Sequence, residues 1–286
     1  MRPLARFGLS AAAMTTALLL VGSSAVAAPP VVRVLKARTS LFNRPVRMPG
    51  RAPAVRRYGS GASVSSVRVL NAAEVGTRTN GKIFGVDPVE GRYSCSGTAL
   101  NTPSRSIVLT AAHCVIEQHH EGRDLTFVPA YDHGQRPFGT FVAEAVYVMP
   151  QWRHGENPDF DVAALEVKPN ELGRLTDVVG ARGFATSKSR SARFQIFGYP
   201  AAHAGGEELR SCRAHGLGGD RLTYRFGGPP TMPASCDMAA GSSGGAWLFD
   251  GEYVSGVTSY SYEGRPTQLF SPYFGSAVGS FLRQLP

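Results

Sequence analysis

The sequence predicts an all-β protein, and three observations carry that prediction. From about Ala72 onward the apolar residues fall in short runs rather than in long stretches. Gly, Pro, Asn and Asp separate those runs, which is the punctuation of turns between strands. Sustained 3.6-residue periodicity is missing, so no long amphipathic helix is expected. This pattern suits a sandwich or a barrel, and composition alone does not choose between them.

The elements follow in chain order. A chain of 286 residues allows one or two domains with a sizeable core. Residues 1–27 read as a secretory signal peptide. Arg2 and Arg6 supply its positive region, Ala11 to Val21 its apolar stretch and Ala25-Val26-Ala27 its small-residue cleavage site. Residues 28–71 read as a basic pro-segment, and hence a zymogen, or as a disordered arm. Periodicity is weak there, Pro45, Pro49 and Pro53 interrupt it, and the dibasic pair Arg56-Arg57 offers a processing point. Strands are then expected at Tyr93–Leu100, Ser106–Thr110, Leu125–Val128, Thr140–Met149 and Val162–Val167. Further strands follow at Arg193–Phe197, Leu209–Ala214, Ala246–Phe249 and Tyr253–Ser259. A turn after His113 and a short helix near Val278–Leu285 complete the list. After the leader, no apolar run approaches the about 18 residues a spanning helix needs, so no membrane partner is expected.

The formal net charge of +9 belongs to the N-terminal part of the chain. Residues 29–80 carry ten basic groups against Glu74 alone, whereas the chain from residue 81 carries 18 basic and 20 acidic groups. The arm could bind an anionic surface, but no nucleic-acid partner is expected of the body.

Three motifs carry chemistry. Gly241-Ser242-Ser243-Gly244-Gly245 places a serine in a glycine-rich turn ahead of the apolar run Ala246-Trp247-Leu248-Phe249. Thr110-Ala111-Ala112-His113-Cys114 places a histidine after small residues that let its loop pack tightly. Asp161 opens the apolar run Val162-Ala163-Ala164-Leu165, while Asp159, after Pro158, reads as a turn residue. A serine hydroxyl needs a base to take its proton, and that base needs an orienting group. The order His, Asp, Ser is one of the linear orders in which this set occurs. His119 and His120 read as surface residues.

On these motifs the chain resembles secreted bacterial serine endopeptidases of the chymotrypsin/trypsin-like superfamily, in the short actinobacterial and glutamyl-endopeptidase-like branches. The resemblance covers about residues 72–286. It implies two antiparallel six-stranded Greek-key barrels, about 72–180 and 190–286, divided near Gly180–Ser191, with the active site between them. It implies His113 as general base, Asp161 as its orienting partner and Ser243 as nucleophile. The N–H groups of Gly241 and Ser243 would form the oxyanion hole. The disulfides it implies are Cys95–Cys114, behind the histidine, and Cys212–Cys236, ahead of the nucleophile. The competing reading of Cys212, His215 and Cys236 as zinc ligands lacks an obvious fourth ligand. No cofactor or metal is implied, and the expected partner is a polypeptide substrate met by a monomer. Two other classes stay open: a catalytically silent homologue acting as a secreted binding protein, and a basic-arm adhesin.

Specificity and activation are expected to depart from the animal enzymes. The residue before the nucleophile is the uncharged Ser242, and Glu74-Val75-Gly76 lacks a preceding basic cleavage residue. Activation by an inserted N-terminal ammonium is therefore not expected. Asp237, six residues before Ser243, stands where trypsin-like members keep the carboxylate of a pocket for Lys or Arg. The strand segment Ser259-Tyr260-Ser261 resembles the one that pairs with substrate backbone.

Overall fold

A computed structural model describes residues 32–34, 65–117, 120–262, 265 and 267–286. The expected signal peptide, most of the expected arm and His119 lie outside the described residues. The first barrel is a closed ring of six antiparallel strands: β1 (Asn80–Asp87), β2 (Gly91–Leu100), β3 (Ile107–Thr110), β4 (Arg123–Pro129), β5 (Phe141–Val148) and β6 (Ala163–Val167). The ring runs β5-β6-β3-β2-β1-β4 and closes where Thr126 and Phe127 of β4 pair with Val142 and Phe141 of β5.

The second half carries β7 (Arg193–Gly198), β8 (Arg210–His215), β9 (Met232–Ser235), β10 (Ala246–Phe249), β11 (Tyr253–Val257) and β12 (Gln268–Ser271). β11, β10, β7 and β8 form one sheet, β9 and β12 another. Single bridges at Gly216–Ala234 and Tyr260–Phe270 join the two sheets into a second ring of six. The architecture is thus the expected chymotrypsin-like one. The short helices are α1 (Pro150–Gly155), α2 (Leu175–Val179) and the C-terminal α3 (Ser276–Arg283).

Period-2 alternation explains why several strands read as unbroken apolar runs. Along β3, Val108 packs in the first barrel's core with Ile83, Phe127, Phe141 and Leu165. Ile107 and Leu109 point the other way, into a cluster that also holds Phe197, Tyr199 and Leu248 of the second half. Both faces of the strand are buried, which favours apolar residues on each, and the one polar residue, Thr110, is satisfied by donating to the Ser96 carbonyl at 2.9 Å. That shared cluster is the seam of the two halves, and Val278, Phe281 and Leu282 of α3 belong to it. The second core is built on Phe194, Ile196, Trp247 and Leu269. Each fully buried side chain of this size contributes roughly 1.5–3 kcal/mol relative to exposure.

Three of the twelve barrel strands escaped the sequence signals. β1 contains glycines, and a Cβ at Gly81 would stand 2.6 Å from the Phe127 ring, so the gap in the apolar pattern makes room for an aromatic. β9 contains Pro233, which pairs with Phe270 in a two-stranded sheet. β12 follows a turn and is only four residues long.

The expected arm also contributes structure. Val32–Val34 pairs antiparallel with Tyr147–Ala145 of β5, and Val67–Arg68 pairs with Ser211 and Arg210 of β8. Ser66 is buried, its N–H donating to Asp237 Oδ1 at 2.7 Å, while Arg210 Nη2 donates to its carbonyl at 2.6 Å. Val75 is exposed.

Candidate active site

The site assembles at the seam, from the ends of strands. After β3 the chain makes a single turn, Ala112–Cys114, that presents His113. Cys114 is bonded to Cys95 of β2, pinning that turn to the barrel wall. Trp152 of α1 flanks the imidazole, ring centroids 6.3 Å apart, and its Nε1 donates to the Ile116 carbonyl at 2.9 Å.

Asp161 ends the Pro158–Phe160 turn just before β6, and it is 1% exposed. A buried carboxylate is costly unless donors surround it, and three do. The His113 N–H reaches Oδ1 at 2.8 Å, His113 Nδ1 lies 2.7 Å from Oδ2, and Ser259 Oγ donates to Oδ2 at 2.5 Å. With Nδ1 facing a carboxylate, the neutral ring carries its proton on Nδ1 and leaves Nε2 as a base. Burial acts to lower the His113 pKa. The charge and hydrogen bond of Asp161, with a smaller contribution from Glu117, outweigh burial and raise it above the usual histidine value.

Asp159, the competing carboxylate, sits in the turn as read but is fully buried. It accepts the Gly228 N–H at 3.1 Å and braces the loop of the second half.

Ser243 lies on the turn between β9 and β10. Gly241 and Gly244 hold φ of +88° and +78°, conformations a side chain resists. A Cβ on Gly244 would also overlap Thr110 Oγ1 and the Ser96 carbonyl. Ser242 is turned inward, its hydroxyl 2.6 Å from the carbonyls of both Met238 and Ala239. The N–H groups of Ser242, Gly244 and Gly245 are committed to Ala239, Thr258 and Ser242 carbonyls. Among the described residues, the N–H groups of Gly241 and Ser243 take no acceptor.

Sequence reasoning missed Ser96. Its N–H donates to the Ser243 carbonyl at 2.7 Å, and its Oγ donates to the Gly241 carbonyl at 2.9 Å while accepting the Tyr199 N–H at 2.9 Å. A buried serine inside a strand carries no motif that would have exposed this role.

His113, Asp161, Gly241, Ser243, Ser259, Tyr260 and Ser261 all line one cleft of about 930 Å³. Among the described residues no hydrogen bond joins Ser243 to His113, whose Nε2 lies 3.8 Å from Cys114 Sγ. One expectation changes. Asp237 does not line the cleft: besides Ser66 it faces His203, with Nε2 3.6 Å from Oδ2. Its carboxylate instead binds the arm segment through the Ser66 N–H. Ser259 spends its hydroxyl on Asp161 rather than on a ligand. His120 is exposed, as expected, and borders the cleft. Both disulfides pair as expected, which leaves no free thiolate in either cysteine cluster for a metal.

Two barrels meeting at a cleft, with an imidazole braced by a buried carboxylate beside a serine turn, define a hydrolase of the serine-protease class. The Trypsin family profile matches residues 69–280, and the chain belongs to that family, whose substrates are polypeptides. The chain is similar to protease Anisep of Arthrobacter nicotinovorans, with 32% identity and a TM-score of 0.67 over 73% of this chain and 96% of that one. It is similar to the thermostable serine protease AL20 of an extremophilic microorganism, with 28% identity and a TM-score of 0.67 over 73% and 97% of the two chains. A Glu endopeptidase shares the fold, with 17% identity and a TM-score of 0.62 over 76% and 94%. A search of curated proteins returns no match. Among the described residues no helix is long and apolar enough to cross a membrane.

Proposed function

We propose that this chain is a secreted serine endopeptidase working through an acyl-enzyme. Ser243 attacks the scissile carbonyl while His113 Nε2 takes its proton, and Asp161 holds the ring and stabilises the imidazolium. The uncommitted N–H groups of Gly241 and Ser243 receive the oxyanion, a contribution of about 10²–10³ in rate for each such donor. His113 then protonates the leaving amine, and water releases the acyl group. In the reacting complex His113 Nε2 must come within hydrogen-bonding reach of the Ser243 hydroxyl. The Ser259 carbonyl and the N–H and carbonyl of Ser261, without partners among the described residues, suit pairing with substrate backbone. Secretion is supported by the leader-like residues 1–27 and by two disulfides. Processing of the arm falls before Ser66, since Ser66–Arg68 is built into the second half.

The observation that carries this reading is Asp161 gripping His113 through both ring and backbone, in the cleft that Ser243 lines. Labelling by a serine-directed fluorophosphonate tests it. Wild type is expected to label, and Ser243→Ala and His113→Ala are not. A folded wild type that resists labelling would make the chain a silent binding homologue.

A further inference from the structure

With Ser243 as nucleophile, the role on which this inference rests, its position fixes where a substrate side chain must go. The side chain beside the attacked carbonyl branches one atom away from it, so it enters the wall next to Gly241 and Ser243. Ala239 and Ala240 directly precede Gly241, and Thr258 and Leu269 line the cleft from the second half. This wall is neutral. The Thr258 hydroxyl accepts the Trp247 indole N–H at 3.0 Å. Tyr260 extends the wall, stacked on Phe270 with centroids 4.8 Å apart and planes 4° from parallel.

The nearby carboxylates of the second half are spent. Asp237 faces Ser66 and His203. Asp220, buried behind the wall, accepts the Leu222 N–H at 3.0 Å and the Tyr260 hydroxyl at 2.9 Å, and Tyr262 donates to it as well. Asp87, Glu90, Glu117 and Glu156 border the cleft from the first-barrel part of the chain, and Arg225 lies over the Phe226 ring. A charged substrate side chain seated against Ala239 and Leu269 would lose water without gaining a partner, whereas an apolar one gains by leaving it.

We propose that the cleft selects an apolar or aromatic side chain, such as Phe, Tyr or Leu, at the residue whose carbonyl is attacked. It discriminates against Lys, Arg and Glu there. Tetrapeptide p-nitroanilides differing only in the residue next to the chromophore test this. The kcat/KM for Phe and Leu is expected to exceed that for Arg, Lys and Glu by at least about tenfold. Ala239→Asp, and separately Ala240→Asp, places a carboxylate on the wall and is expected to shift the Arg-to-Phe ratio at least about tenfold toward Arg. The ratio is taken within one preparation, so partial misfolding leaves it interpretable. Preference for a charged residue by the wild type, or ratios unmoved in both variants, overturns the proposal. Fluorophosphonate labelling separates the two readings: labelled enzyme with charged preference sinks this one alone, and unlabelled enzyme sinks the peptidase reading beneath it.

Discussion

Replacing Asp161 by asparagine isolates the orienting role of the carboxylate with almost no change of shape. In the native site Oδ1 accepts the His113 N–H at 2.8 Å, while Oδ2 faces both His113 Nδ1 and the Ser259 hydroxyl. An amide can keep one oxygen at only one of those places. With its NH₂ toward Nδ1, the ring must accept there, which puts its proton on Nε2 and removes the base. Flipping the amide moves the conflict to the backbone N–H. The expected loss is about 10⁴ in rate, or about 5.5 kcal/mol of transition-state stabilisation. The pH profile should move as well. Burial alone lowers the His113 pKa, and Asp161 supplies most of what raises it. The working base is unprotonated, so wild-type activity should rise with pH through an inflection above about 6.5, and the variant's residual activity through a more acidic one. Rates of fluorophosphonate labelling from pH 5 to 9, with ¹⁵N NMR of the imidazole to read the tautomer, check both parts. A loss below about tenfold, or an inflection that moves alkaline, would refute this account.

Other outcomes are expected from the same geometry. Gly244→Ala forces a side chain at φ +78° onto Thr110 and Ser96, so labelling of Ser243 should vanish and the thermal midpoint should fall. Replacing Cys212 and Cys236 by alanine opens a bridge spanning 24 residues and should cost about 3 kcal/mol, or about 6–12 °C in Tm by calorimetry. Lys82 is buried, with Nζ 2.8 Å from both the Gly206 carbonyl and Glu207 Oε1. Lys82→Met should therefore destabilise by about 1–3 kcal/mol in urea unfolding, the partial exposure of Glu207 limiting the loss. Because the folded pKa of His113 is raised, its protonation stabilises the fold below about pH 6.5, and this contribution fades as pH rises through the folded value. The Tm advantage of wild type over His113→Gln should therefore shrink between pH 6 and 8.

Much of the fold was legible because packing constrains these strands on both faces. Ile107–Leu109 and Val162–Leu165 are apolar throughout, since one face fills a barrel and the other the seam. The candidate base, its candidate carboxylate partner and the serine turn stood out because each sits in a local pattern that tight backbone geometry imposes. What failed was whatever depends on contacts distant in sequence. β1 was hidden because its glycines make sense only against the aromatic rings they face, Gly81 against Phe127, more than forty residues away, and Gly85 against Tyr93. Asp237 was misplaced because counting residues back from Ser243 says nothing of its partner Ser66, which lies far earlier in the chain. Ser96 had no local signal, since its work is done on a turn of the other half.

Cys95 and Ser96 are consecutive residues of one strand, yet the first anchors the histidine's turn and the second grips the serine's. The spacing of the two reactive groups is therefore fixed from a single point on β2, and not by the broad apolar contact between the halves. Small slippage along that contact would carry both groups together, as two tools mounted on one bracket. Evolution could then remodel the distant surfaces of either half while the reacting pair kept its alignment.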